Sequence, residues 1–305
     1  MTTLRQLEVL AAVVRSGSVT EAAARLYVSQ PSVSDTLGAL ERHLGVALFT
    51  GRGRRRRLTA AGEVFWDHAR RALSLIASGE QAVADLGEEV RGKLSLLAVT
   101  TAGEQMVPSV LHGFLTAHPE VEVSLQVTNR AEARIPLIEG TVDLAVMGRP
   151  PEGLALQSLP FMENRLLLVC VPTHPAATGL ANREDWEKVT LLLREEGSGT
   201  RAAVEELGLR PHSIMVLGSN AAILAVLKEG LGVGVLPELA VSAELAAGVL
   251  VEVPAPGFPL RRQWHVVWPA GRRLTKPAAA FLEALVEYGK EGRGKRATGG
   301  VPPGR

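Results

Sequence analysis

The sequence predicts an α/β chain in three parts: a small helical head ending in a hairpin wing, a long linking helix, and two α/β units facing one another across a cleft. Three observations carry that prediction. A capped helix, turn and helix occupy residues 19–41, a glycine-bounded arginine run follows at 51–57, and beyond Arg91-Gly92-Lys93 the pattern changes to repeated strand, turn and helix.

In the head, Ala22, Ala23 and Leu26 mark one short helix, and Val33, Leu37, Leu40 and Leu44 repeat at helical spacing in the next. Thr20 is the expected cap of the first and Ser29 of the second, with Pro31 placed where its missing N–H costs nothing. The apolar stripe leaves Gln30, Ser32, Ser34, Asp35, Gly38 and Glu41 to the other faces. Short polar groups beside an open glycine suit a helix inserted into a major groove. Leu4, Leu7, Val9, Leu10 and Val13 form an earlier helix able to cover this pair. The run Gly51-Arg52-Gly53-Arg54-Arg55-Arg56-Arg57, closed by Leu58 and Thr59, reads either as a solvated loop or as a wing on phosphates or in a minor groove. Like charges packed this densely repel unless a polyanion neutralises them, which favours the wing.

Thr59 can cap a helix whose apolar positions continue through Val64, Phe65, Leu73, Ile76, Val83 and Leu86, about 28 residues or roughly 40 Å. Such a stripe is too long for the head to cover. Either it folds back on its own chain, or Phe65, Leu73 and Ile76 meet a second copy and set the spacing of two heads.

Composition bounds the partners. The chain has 305 residues, 46% hydrophobic, with a formal net charge of only +1, so positive charge is local to the wing. That suits a reader of one DNA site better than a general nucleic-acid coat. The single cysteine, Cys170, allows no intrachain disulfide and no cysteine metal cluster. No charged leader with a long apolar core opens the chain, and a cytoplasmic, soluble protein without a membrane partner is expected.

After the linking helix, strands are expected at 93–99, 121–127 and 142–147 with helices near 105–117 and 131–139. A second unit follows, with strands at 189–193, 214–217 and 233–236 and helices near 200–207, 220–229 and 238–246. Extended tracts at 154–159, 166–171 and 263–267 can cross between the units, and a terminal helix near 275–288 can return to the first. The expected boundaries are 1–58 for the head, 59–87 for the linking helix, 88–92 for a hinge, 93–168 with 265–290 for the first subdomain and 169–264 for the second. Residues 291–305 mix Gly, Lys, Arg and Pro without periodicity and are expected to be a disordered tail.

Ligands of such paired units meet the carboxyl ends of the strands. Thr100 and Thr101 leave the first strand, Gly197-Ser198-Gly199-Thr200-Arg201 leaves the first strand of the second unit, and Asn220 opens a later helix. Hydroxyls, free amides and an arginine form an anion clamp, although glycine-serine loops also serve as plain caps.

Over almost its full length the chain resembles LysR-type transcriptional regulators. The resemblance rests on residues 7–17, Thr20-Glu21-Ala22-Ala23, Leu26, Ser29-Gln30-Pro31-Ser32-Val33-Ser34, Leu40-Glu41, Leu44-Gly45, Leu48-Phe49, Arg57-Leu58-Thr59 and Ala61-Gly62. It implies a winged helix-turn-helix, a linker-helix dimer interface and an effector domain related to periplasmic binding proteins. It also implies a dimer of dimers that bends double-stranded promoter DNA, with RNA polymerase as a further candidate partner. By carry-over, Thr20, Ser29, Gln30, Pro31, Ser32 and Ser34 lie at the DNA, with Gln30 and Ser34 as base readers and the wing arginines on the backbone or in the minor groove. Asp35 departs from a position where many members carry a basic or amide residue; it can accept from cytosine N4 but repels phosphate. The resemblance further places Thr100, Thr101, Gly148, Ser198, Gly199, Thr200, Arg201 and Asn220 around a cleft for a small anionic metabolite. The Gly-Ser-Gly-Thr-Arg segment is similar to the branch regulating carbon fixation and sulfur or nitrogen assimilation.

Other classes fit less well. The chain has no HExxH, no Walker loop and no GxSxG elbow, and its glycine-rich 230–234 precedes a strand, contrary to the dinucleotide fingerprint. No catalytic residue, metal site or cofactor is expected. A solute-binding protein would account for residues 93–290 but not the wing, and an architectural DNA-bending protein would leave the cleft unexplained.

Overall fold

The computed structural model describes residues 1–51, 56–84 and 89–297. The chain forms an N-terminal and a C-terminal unit, each taken by itself.

The N-terminal unit opens with α1 (Leu4–Ser16), held by a capping box between Thr3 and Gln6 and ended at Gly17, whose φ of +64° suits a residue without Cβ. Next come α2 (Val19–Arg25) and α3 (Gln30–Leu44). The cap of α2 is Ser18, whose hydroxyl accepts from the Glu21 amide, and not Thr20 as expected. Both hydroxyls lie in the right window, but Ser18 is the residue in extended backbone just outside the helix. Ser29 caps α3 as expected, accepting from the Ser32 amide at 3.3 Å. A two-stranded wing of β1 (Phe49–Thr50) and β2 (Arg57–Leu58) follows. Glu41 Oε1 accepts from the Leu48 and Phe49 amides at 2.7 and 3.2 Å, fastening the wing's root to α3. Leu10, Val13, Ala22, Val33, Leu37, Leu40 and Leu48 make the core.

The linking helix α4 (Ala60–Ala84) starts where Thr59 Oγ1 accepts from the Gly62 amide at 2.9 Å. A Cβ on Gly62 would stand 2.1 Å from the Leu48 carbonyl oxygen, so only glycine lets helix and wing approach this closely. Trp66 and Ala69 are buried in the head and Phe65 and Leu73 pack partly against it, leaving Val64, Leu75, Ile76 and Val83 exposed. The open stripe therefore differs from the expected one at Phe65 and Leu73, which the head half covers.

The C-terminal unit contains, in order, β3 (Gly92–Val99), α5 (Thr100–Gln105), α6 (Val107–Ala117), β4 (Val121–Thr128), α7 (Arg134–Glu139), β5 (Leu144–Met147) and β6 (Leu156–Cys170). Then come α8 (Arg183–Trp186), β7 (Thr190–Arg194), α9 (Gly199–Glu205), β8 (Ser213–Leu217), α10 (Asn220–Lys228), β9 (Val233–Pro237), α11 (Glu238–Ala246), β10 (Val251–Glu252), β11 (Leu260–Pro269) and α12 (Lys276–Ala297). The strand order is β4-β3-β5-β11-β6-β9-β7-β8, with β10 on β6. Parallel trios, β4-β3-β5 and β9-β7-β8, flank the antiparallel ribbon of β6 and β11.

Three expectations are corrected here. The tracts at 154–159 and 166–171 belong to one continuous strand, β6, whose polar middle reads as a break although Asn164 faces a cleft and Glu163 and Arg165, on the other face, are ion-paired to Arg261 and Glu238. β6 already pairs with β9 at Leu166, so the first crossing falls before the expected 168/169 boundary. The terminal helix runs on through Ala297, with residues 298–305 outside the described ones. In addition, α5 springs directly from β3, five residues before the helix expected near 105–117; its sequence Thr-Thr-Ala-Gly-Glu-Gln carries no apolar period to announce it.

Candidate functional site

On the head, Thr20, Ser29, Gln30, Pro31, Ser32 and Asp35 are exposed and Ser34 is half-buried. The Thr20 hydroxyl donates to Gln30 Oε1 at 3.3 Å, which leaves the Gln30 NH2 as the outward donor. Ser29 is engaged in capping, so it positions α3. Arg57 is exposed on β2. Arg56 stacks its guanidinium 5.9 Å from the Phe49 ring centre while its amide donates to the Gly17 carbonyl at 2.9 Å, pinning the wing to the end of α1. Arg52, Arg54 and Arg55 lie outside the described residues. Two side chains outside the expected set are exposed nearby, Tyr27 at 96% in the left-handed turn before α3 and Arg42 on α3, beside Gly38.

The second site is a cleft in the C-terminal unit with about 670 Å3 of atom-free space, its open mouth included. Thr100, Thr101, Gly148, Ser198, Gly199 and Thr200 all line it, as expected from their places at strand exits. Gly197, at φ +86° and with no room for a Cβ beside Ala131, aims Ser198 inward. Ser198 is buried, and its hydroxyl makes no cap to α9.

Asn220 stands behind the wall. Its Nδ2 donates to Thr101 Oγ1 at 2.8 Å and its Oδ1 accepts from Arg194 Nη1 at 2.7 Å, joining the two subdomains. Arg201 is turned away: its Nε pairs with Glu205 Oε1 at 2.7 Å along its own helix, and it lines a neighbouring recess instead of the cleft. With only seven residues, α9 also supplies little dipole.

The cations that matter were not foreseen. Arg130, Arg149, Arg194 and Arg262 line the cleft with one carboxylate, Glu206. Glu206 bridges Arg149 Nη1 at 3.1 Å and Arg262 Nη2 at 2.8 Å. Arg194 is paired to Glu195 through Nε at 2.7 Å and Nη2 at 2.9 Å. Burial would raise the Glu195 carboxyl, but the hydrogen bond from Arg194, a main-chain hydrogen bond and the charges of Arg194 and Arg201 hold it below the usual range. Arg130 gives its Nε to the Arg149 carbonyl at 3.3 Å and has no carboxylate within ion-pair distance among the described residues. Its desolvation, followed by repulsion from Arg149, lowers its pKa. The cleft lining thus carries more guanidinium groups than carboxylates, four to one.

A winged helix-turn-helix head, a long linking helix and a two-lobed cationic cleft define a ligand-responsive DNA-binding regulator of transcription. The chain belongs to the LysR family: residues 4–63 match the bacterial regulatory helix-turn-helix protein, lysR family, and residues 87–290 the LysR substrate binding domain. It is 34% identical over 291 residues to the HTH-type transcriptional activator CmpR of Synechocystis sp. strain PCC 6803, covering 94% of this chain and 95% of that one. It is 35% identical over 288 residues to the RuBisCO operon transcriptional regulator of Allochromatium vinosum, covering 93% and 95%. The regulatory domain of Synechocystis CcmR, solved in complex with 2-PG, superposes with a TM-score of 0.60 at 32% identity, covering 66% of this chain and 98% of that one. These relatives are regulators, on the carbon-fixation side of the branch expected from sequence. Among the described residues, no helix is long and apolar enough to cross a membrane.

Proposed function

We propose that the cleft binds a small anionic metabolite, and that its occupancy sets how a dimer of dimers, joined through α4, engages two half-sites of promoter DNA. The observation that carries this is Arg130, a half-buried guanidinium on the cleft wall with no carboxylate in ion-pair distance among the described residues. The Ser198 and Thr200 hydroxyls and the Gly199 amide supply the uncharged donors around it. Gln30 and Ser34 read base edges, Arg56 and Arg57 meet the backbone, and the exposed Val64, Ile76 and Val83 seek a second copy. The protein acts in the cytoplasm, carries no cofactor and catalyses no reaction; closing the lobes changes geometry instead of bonds. RNA polymerase is the partner that reads the altered promoter complex. A solute-binding protein would leave the head idle, and an architectural DNA bender would leave the arginines unneutralised.

Calorimetry on the full chain with a panel of short carboxylates and phosphates, 2-PG among them, tests the reading. Binding is expected to weaken with salt and to fall at least tenfold in Arg130→Met. Binding that survives both Arg130→Met and the double variant Thr101→Val with Thr200→Val places the anion elsewhere. Binding that leaves the DNA footprint and bend unchanged rejects its role as a signal.

A further inference from the structure

Asn164 is 7% exposed and lines the cleft, and its side chain makes no hydrogen bond to any other described residue. It sits on β6 directly opposite Arg262 on β11. Strand alternation puts Asn164 with Leu166, and Arg262 with Trp264, on one face of the crossing ribbon, and all four line the cleft. Gly148 keeps the amide open: a Cβ there would lie 3.1 Å from Asn164 Nδ2. Ser198, 5% exposed and free of capping duty, is a second inward polar group on the same cleft.

A cleft-lining amide with no protein partner is left to water, and is open to whatever displaces that water. Carboxylate and phosphate oxygens only accept, so an anion answers Nδ2 and leaves Oδ1 facing negative charge. A hydroxyl both donates and accepts, and satisfies either side of the amide. The apolar neighbours Val99, Leu166, Pro237 and Trp264 restrict the carbon skeleton to a short one. We infer that Asn164 determines specificity by reading a hydroxyl on the anionic ligand, so that the ligand class is a short hydroxy acid or a short phosphate ester that keeps a free hydroxyl.

This inference rests on the anion-binding reading, and matched probes separate the two. Calorimetry on the full chain would compare malate with succinate, glycerate with propionate, and glycerol 3-phosphate with propyl phosphate, for wild type, Asn164→Leu and Asn164→Ala. In at least one pair the hydroxylated probe is expected to bind wild type about tenfold more tightly. Both variants are expected to bring that ratio close to one by weakening the hydroxylated member alone. Equal binding of the members of every pair to wild type, or a ratio that persists in either folded variant, overturns the inference and leaves anion binding standing. Failure of all six probes on wild type overturns the anion reading itself.

Discussion

Replacing Arg194 with Leu removes the group that organises the floor of the cleft. Arg194 is 4% exposed and supports both oxygens of Glu195 and Oδ1 of Asn220, with a longer contact to Thr100 Oγ1 at 3.5 Å. Breaking a buried ion pair costs about 3–5 kcal/mol. The Glu195 side chain is 28% exposed and can recruit water, which puts this pair at the low end, about 3 kcal/mol. The Asn220 oxygen loses its donor for about another 1 kcal/mol. For a unit of this size, about 4 kcal/mol lowers Tm by roughly 8–16 °C. Differential scanning calorimetry on the full chain, following the transition of the C-terminal unit, reads the shift. A drop under about 3 °C refutes the reasoning.

The same pair fixes a pH signature. The folded Glu195 carboxyl lies below its ordinary value of 4.5. Its contribution to stability is therefore fully present above the unfolded value and is lost as pH falls through the lower folded one. The gap between wild type and Arg194→Leu should hold at neutral pH and narrow once pH drops below about 4.5. A gap that widens in acid contradicts the assignment.

Three further outcomes are expected. Gln30→Ala should cost about 1–3 kcal/mol on the preferred operator and little on random duplex, whereas Arg57→Ala should weaken both and lower the salt slope by about 1; equal effects in a salt-titrated footprint would remove Gln30 from the base-reading role. Ile76→Asp should weaken self-association at least tenfold, because a dimer would bury the new charge unpaired; unchanged mass by sedimentation at low micromolar concentration argues against α4 as an interface. Glu206→Gln should tighten 2-PG or malate binding by about two- to fivefold, since it releases Arg149 and Arg262 from an exposed pair; weaker binding would mean that Glu206 organises those arginines instead of competing for them.

The head was legible because its helices announce themselves locally, through a cap, an apolar period and a glycine stop. The slip from Ser18 to Thr20 is one of backbone, since two nearby hydroxyls look alike until φ and ψ are known. The hydroxyl side of the cleft was legible for a similar reason, as Thr100, Thr101, Ser198 and Thr200 sit just past apolar runs. Its charge was not legible. Arg130, Arg149 and Arg194 each stand alone in the sequence and Arg262 only beside Arg261, and so small a basic signal reads as surface until the strands converge. Asn164 was hidden further, because Glu163-Asn164-Arg165 falls in the gap between two extended tracts and is in fact the middle of one strand.

The contacts that hold the cleft differ in how easily they give way. At its floor, Asn220 joins Thr101 and Arg194 among groups 4–5% exposed, where a lost hydrogen bond leaves a desolvated partner. On the other side, the Glu206 pairs with Arg149 and Arg262 involve side chains 55%, 48% and 22% exposed, where ion pairs contribute about 0–1 kcal/mol. Opening should therefore proceed by release of the Glu206 side while the floor stays bonded and the β6 and β11 ribbon flexes between the lobes. An anion entering beside Arg130 adds negative charge next to cations that Glu206 neutralises only in part. Its differential affinity for the closed form is the only free energy available to shift the equilibrium. The smaller the free energy that holds the Glu206 side closed or open, the smaller the differential affinity needed to change which arrangement prevails, whatever the ligand's overall affinity.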